Sequence, residues 1–227
     1  MPEIKKPPAS EMCPPGHHVV RGHERVCHSG TTTWVDAHIR RNRGSIPTIL
    51  LSENIYFLFW SAKKKYGKIG KIYGFPETSE LDSAVQFWLD YWKEQGIEFP
   101  SDLDPLLIKT LIAIESGFDP KARSKVKGSS ATGLMQVTDQ TRRILSGRPN
   151  KNGYREVKSE YLEIKKEEAT DSLVSIATGT RWLAHKYLII PKAGKRNVHN
   201  MIKNYHSWNE DGEVYAKKVE DLYEKSK

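Results

Sequence analysis

At 227 residues, with 37% hydrophobic residues that include six Trp and ten Tyr, the chain can hold one globular domain of ordinary size plus a small appendage. A formal charge of +8, from 36 basic and 28 acidic residues, suits a polyanionic partner such as nucleic acid, an acidic cell envelope or anionic lipid, without requiring one. Two cysteines, Cys13 and Cys27, exclude a disulfide framework, though one bridge stays open; the longest apolar patch, IPTILLSENIYFLFW, is broken by Ser52-Glu53-Asn54 and is too polar to span a bilayer.

The N-terminal MPEIKKPPASEMCPPG reads as a flexible, Pro-rich lead-in. It lacks the apolar run of roughly 7–15 residues of a secretory signal, so the expectation is a soluble chain that leaves the cytoplasm, if it does, by another route. Next come VRGHER (20–25) and VDAHIR (35–40), which share the pattern Val-x-small-His-x-Arg, with the turn- and strand-prone SGTTTW between them. The simplest reading is a β-hairpin with His23 and His38 at matching positions. His17, His18, His23, His28 and His38 crowd around Cys13 and Cys27, which raises a structural zinc site. The adjacent Cys27-His28 is awkward for one tetrahedral ion, and no metal is assigned.

Helix signals start after the linker RNRGSIPTIL. Ser52 is placed as the cap of a helix carrying Ile55, Phe59 and Trp60, which fades into the basic run KKKYGKIGK, read as a solvated loop. Ser79 is placed as the next cap, ahead of a stripe of Leu81, Val85, Trp88 and Trp92 that ends at Gly96. Asp104-Pro105 starts a third helix, and further helices are expected around 133–146, 170–188, 197–206 and 212–226. Strand signals are weak after residue 45.

The third helix carries an anomaly. Glu115 lies seven, four and three residues after Ile108, Leu111 and Ile112, so its carboxylate shares their apolar face, and the chain turns at once at Ser116-Gly117. Partial burial and the negative end of the helix dipole both disfavour its charged form, which makes it a candidate general acid; a structural glutamate remains the plainer reading.

The residues that follow carry a resemblance. IESGFDPKARS and GSSATGLMQVTDQT (128–141) are similar to the E-S-G-F-x-P-x-A-x-S and G-x-x-G-L-M-Q-x-x-x-x-T blocks of the soluble lytic transglycosylase domain, a lysozyme-like family. Glu115, Ser116, Gly117, Phe118, Pro120, Ala122 and Ser124 match, as do Gly133, Leu134, Met135, Gln136 and Thr141. SIATGTRWLAHKY (175–187) resembles a third block through Ile176, Gly179 and Leu183, with Trp182 in the aromatic place. The resemblance covers about residues 100–225.

It implies cleavage of the β-1,4 bond between N-acetylmuramic acid and N-acetylglucosamine, with Glu115 acting first as acid and then as base to give a 1,6-anhydro product. Ser116 would bond the substrate. Gly133, Leu134, Met135 and Gln136 would wall the cleft, Gly133 by admitting a sugar closely, although Met135 reads equally as core. Tyr205 falls at the tyrosine that in this family points at the catalytic glutamate. There the chain departs from the family's A-Y-N-A-G: KNYHSWNEDG puts His206 and Ser207 where Asn-Ala stand and Trp208 at the glycine, where it is a candidate for stacking on a sugar. The charged insert 147–172 reads as a lid or as surface.

The expected fold is therefore mainly α, a lysozyme-like helical domain with a small N-terminal β-hairpin appendage. The expected division is a lead-in and hairpin module at 1–45, a linker and N-terminal helices at 46–99, and the catalytic domain at 100–227. No cofactor is called for. The expected partner is the peptidoglycan glycan strand, with a secretion-machine component or an immunity protein if the chain is a type VI secretion effector; a phage-type lysin, released by lysis, is the other role that fits. Nucleic acid and a membrane span are not expected. The rival readings are a goose-lysozyme-like hydrolytic muramidase using the same Glu115 and a non-catalytic glycan-binding module.

Overall fold

The computed structural model describes residues 17–20, 23–26, 30–35, 38–41, 49–150, 152–192 and 196–227. At the N-terminus, β1 (His17–Val20) pairs antiparallel with β4 (His38–Arg41), and β2 (His23–Val26) with β3 (Thr32–Val35). The expected hairpin is there. Its backbone register pairs Val20 with His38 and His23 with Val35, so each histidine position is paired with the valine position of the other repeat. Cys13, Cys27, His28 and the side chains of the other four histidines of the cluster lie outside the described residues.

The rest is mainly helical and built around α5 (Ser172–Leu188). Asp171 caps α5 by accepting from Val174 N at 3.0 Å, and fourteen consecutive residues, Ser172 to His185, are buried. A helix buried on all sides is a central one, even with Ser175, Thr178, Thr180, Arg181 and His185 among its buried residues. Around it pack α1 (Ser52–Ser61), α2 (Asp82–Glu94), α4 (Asp139–Leu145) and α6 (Val198–His206), while α3 (Pro105–Ser116) packs on α2 and on α7 (Glu210–Ser226). The tryptophan stripe of α2 is core, as its spacing predicts: Trp88 and Trp92 are buried, and the Trp92 indole donates to the Ala177 carbonyl at 3.1 Å. Beneath it a buried ion pair joins Lys109 on α3 to Asp82 at 2.7 Å, and the other oxygen of Asp82 accepts from Ile69 N at 2.9 Å. This pins the basic segment 62–78 to the helices. None of the described helices is long and apolar enough to cross a membrane.

Several expected boundaries move. Leu51, not Ser52, is the cap residue of α1; Asn54 accepts from Leu51 N at 2.8 Å, and Ser52 donates to Glu168 at 2.9 Å instead. Ser79 opens a 3-10 turn, and α2 begins only at Asp82. The helix expected at 133–146 is confined to α4, because Gly133 (φ +80°) and Gln136 (φ +47°) hold left-handed backbone that no α-helix accepts; Thr138 is the actual cap. The insert at 147–172 is partly core rather than plain surface. Leu162, Val157, Ile164 and Ala169 are core, and β6 (Tyr161–Leu162) pairs in parallel with β5 (Ile49–Leu50).

Candidate active site

Both ends of α3 are held by α7. At the start, Asp104 caps the helix through Leu106 N at 2.8 Å, Pro105 supplies a first-turn residue with no N–H to satisfy, and the Tyr223 hydroxyl donates to the free oxygen of Asp104 at 2.9 Å. At the end, Gly117 turns left-handed (φ +61°) and its N–H closes on the Ala113 carbonyl at 2.9 Å. Phe118 repeats the left-handed turn (φ +67°) and is kept there by burial and an edge-on contact with Phe75. The helix thus stops one residue past Glu115, and its last turn faces α7.

Glu115 is half-buried and accepts a hydrogen bond at Oε1 from the Tyr215 hydroxyl of α7. Burial pushes its carboxyl above the usual range; the Tyr215 hydrogen bond and the nearby Lys218 ammonium pull it down, and burial prevails. Asp119, the acid nearest in sequence, is exposed and caps its own turn through Lys121 N at 2.9 Å. Tyr205 and Tyr215 both belong to this cluster. Burial first, and then the Glu115 carboxylate, hold both phenols well above the usual tyrosine range, so both stay protonated.

The two tyrosines do different things. The Tyr205 hydroxyl donates to the Met135 carbonyl at 2.7 Å and lies within range of the Glu115 charge, while the hydrogen bond to Glu115 comes from Tyr215. From the sequence, Tyr215 belongs only to one side of the helix expected at 212–226, with Val219, Leu222 and Tyr223. The signal that was there is chemical: a tyrosine on a buried stripe must find a partner for its hydroxyl. His206 stacks flat on the Tyr215 ring, with centroids 4.6 Å apart and planes 9° from parallel.

The turn 131–137 behaves otherwise. Thr132 bridges to Arg123 and Val137, and a Cβ at Gly133 would lie 2.0 Å from the Ala169 carbonyl oxygen and 2.8 Å from Ser175 Oγ. Protein packing by itself therefore requires the glycine, whatever room it gives a sugar. Leu134 and Met135 are fully buried. Met135 sits against Gly179 of α5, where a Cβ would meet its Sδ at 2.4 Å, and its N–H donates to Ser175 at 3.2 Å. Its side chain is core, not cleft wall. Gln136 is half-buried, with its amide nitrogen on the carbonyls of Gly133 at 3.0 Å and Ala122 at 3.3 Å.

Ser116 donates back to the Ile112 carbonyl at 3.0 Å, so its proton is used within the helix. Trp208 is half exposed beneath Lys203 and lines a groove of about 330 Å³ with Ile189, Ile190, Pro191 and Asn204, apart from the Glu115 cluster. What comes together is Glu115, Tyr215, Tyr205, His206 and the Met135 backbone. Ser116, Gly133, Leu134 and the Met135 side chain serve the scaffold.

A comparison with curated proteins returns no match. The family model described as "Transglycosylase SLT domain" matches residues 94–220, more than half of the chain, from the end of α2 into α7. That span holds Glu115, both tyrosines and the turn that supports them. With its mainly helical, lysozyme-like architecture, the chain belongs to the transglycosylase SLT domain family, whose members act on peptidoglycan.

Proposed function

We propose that the chain cleaves the β-1,4 bond between N-acetylmuramic acid and N-acetylglucosamine and closes the muramyl end as a 1,6-anhydro sugar. Glu115 gives its proton to the bridging oxygen as the C1–O bond breaks. The C6 hydroxyl oxygen then bonds to C1, and its proton passes to Glu115, which ends as it began; no water is consumed. The observation that carries this reading is the setting of Glu115, a half-buried carboxyl raised by burial and gripped by the Tyr215 hydroxyl. Asp119, turned to its own loop, favours the one-carboxylate route over hydrolysis with a paired acid.

Digestion of purified peptidoglycan followed by mass spectrometry tests it. The expected fragments end in 1,6-anhydro-muramic acid, one water lighter than reducing ends, and Glu115→Gln stops their release. Reducing ends would make the chain a goose-lysozyme-like muramidase, and binding without products would make it a glycan-binding module. The role as a secreted antibacterial effector with an immunity protein, or as a phage-type lysin, would be read from the neighbouring genes.

A further inference from the structure

Next to Glu115 a groove of about 720 Å³ opens between α3 and α7. Ala113, Ile114 and Leu222 floor it, and Phe75, Tyr73 and Val214 form its edges. One wall does not come from the family domain. Tyr73 and Phe75 belong to the segment before residue 94, which is pinned here at three points: the Lys109–Asp82 pair, the Phe75–Phe118 contact, and Tyr73 N donating to Ser226 Oγ at 3.0 Å. Tyr73 and Val214 stay 64% and 65% exposed and, with Phe75, Ala113, Ile114 and Leu222, make one contiguous apolar lining.

The other wall is a charged stripe. Val214, Lys217, Lys218, Asp221, Leu222 and Lys225 follow one another at helical spacing along one side of α7. The three lysines have no ion-pair partner within 4.0 Å among the described residues, and one aspartate does not balance them. From Val214 to Lys225 the stripe runs about 16 Å at 1.5 Å per residue. An extended peptide of four or five residues covers about the same length.

We propose that this groove binds the acidic stem peptide carried by the muramyl sugar at the cleavage point. The inference rests on the peptidoglycan reading above. The stem leaves the same sugar whose C1 must sit at Glu115, so it emerges within a few ångströms of the reacting bond. Of the lining residues, Ile114 directly precedes Glu115 in α3 and Lys218 is near enough for its charge to act on the Glu115 carboxyl. The stem's free carboxylates meet the lysine rim, and its alanyl methyls meet the apolar floor. A bare glycan strand offers neither.

The test has two arms on the full chain. In the first, the isolated tetrapeptide L-alanyl-γ-D-glutamyl-diaminopimelyl-D-alanine is titrated into the Glu115→Gln protein by NMR or calorimetry, with and without Lys217→Glu plus Lys225→Glu. Binding is expected, weakening with salt and lost on charge reversal. In the second, rates are compared on peptide-bearing strands and on strands stripped of peptide by an amidase. The double reversal is expected to lower the ratio of the two rates about tenfold, the equivalent of ~1.4 kcal/mol from two exposed charge contacts. Tyr73→Ala, on the other wall, is expected to lower the same ratio, so that misfolding of one variant does not decide the matter.

No peptide binding together with an unchanged ratio overturns the groove assignment. So does concentration-dependent dimerisation abolished by the same reversals, which would give the groove to a second copy. A wild-type chain that binds the stem peptide yet cuts no strand overturns the cleavage reading and leaves the groove standing.

Discussion

The turn at 131–137 and the α6–α7 pair make an instructive contrast. The turn carries the motif most easily recognised in the sequence, Gly133-Leu134-Met135-Gln136, yet it is packed into the protein: a Cβ at Gly133 would strike Ala169 and Ser175, and the Met135 side chain lies against Gly179. The α6–α7 pair is where the chain departs from its family's pattern, yet it surrounds Glu115 with Tyr205, His206 and Tyr215. The recurrent residues of the turn describe how the scaffold closes; the surroundings of the acid are set by aromatic side chains from two helices.

The largest effect is expected at the acid itself. Glu115→Gln keeps the shape and the acceptor for Tyr215 but removes the proton, and a general acid contributes roughly 10²–10⁴-fold. The same change should stabilise the fold at neutral pH. Because burial raises the folded carboxyl above its ordinary 4.5, the folded state holds a proton that the unfolded state has released. Stability is therefore lost as pH rises from 4.5 through the folded value. Melting curves of the Gln variant should exceed wild type at pH 7, and the gap should close below pH 4.5. A variant that melts lower at pH 7 would deny Glu115 its strained setting.

Next is the scaffold. Gly133→Ala forces a methyl to within 2.0 Å of the Ala169 carbonyl at a left-handed φ of +80°, so the 133–137 turn or the segment 167–170 must shift. Overpacking of this kind costs about 1–3 kcal/mol or more, and most of the loss should appear in stability rather than in affinity for glycan. If instead the melting point holds and only substrate affinity falls, Gly133 belongs to the cleft after all.

Much of this was legible beforehand, for physical reasons. Asp104-Pro105 and Ser116-Gly117 marked both ends of α3 because a cap, a proline and a left-handed glycine each satisfy a specific terminal need. The place of Glu115 on the apolar face followed from the helical repeat. What stayed hidden depended on contacts distant in sequence. Nothing near Tyr215 says that its hydroxyl meets a carboxyl one hundred positions earlier. Nothing in GLMQ says that the helix pattern fails there, because the left-handed backbone of Gln136 is imposed by its bonds to Gly133 and Ala122. The core role of the 147–172 insert was masked by its charged residues, and the one repeat it offers, Val157, Tyr161 and Ile164 at helical spacing, falls on backbone that is extended at Tyr161–Leu162 and nowhere helical over 157–164.

The two tyrosines give a sharper and smaller test. Tyr215→Phe removes one of the two interactions that lower the Glu115 carboxyl, so its affinity for the proton rises further and the pH–rate profile should move to higher pH. The rate should fall about tenfold, in keeping with the loss of one hydrogen bond to a charged group. Tyr205→Phe removes only a hydrogen bond to the Met135 carbonyl and should cost about 1 kcal/mol of stability without displacing the profile. A profile that moves with Tyr205→Phe and not with Tyr215→Phe would exchange their roles.

The smallest effect tests how the departed motif is used. His206 is exposed and touches the site by lying flat on the Tyr215 ring, which makes it a positioning residue for the hydroxyl that holds Glu115. An aromatic stack of this kind contributes about 1 kcal/mol, roughly a fivefold change in rate if all of it acts through Tyr215. His206→Ala should therefore slow turnover a few-fold and shift the pH–rate profile in the same direction as Tyr215→Phe. His206→Phe keeps the stack and should restore both. In the Tyr215→Phe background the two His206 variants should become indistinguishable in rate, because the hydroxyl whose place they govern is gone. Failure of Phe to rescue would mean that the imidazole acts through its charge or its nitrogen atoms, and the stack would then be incidental.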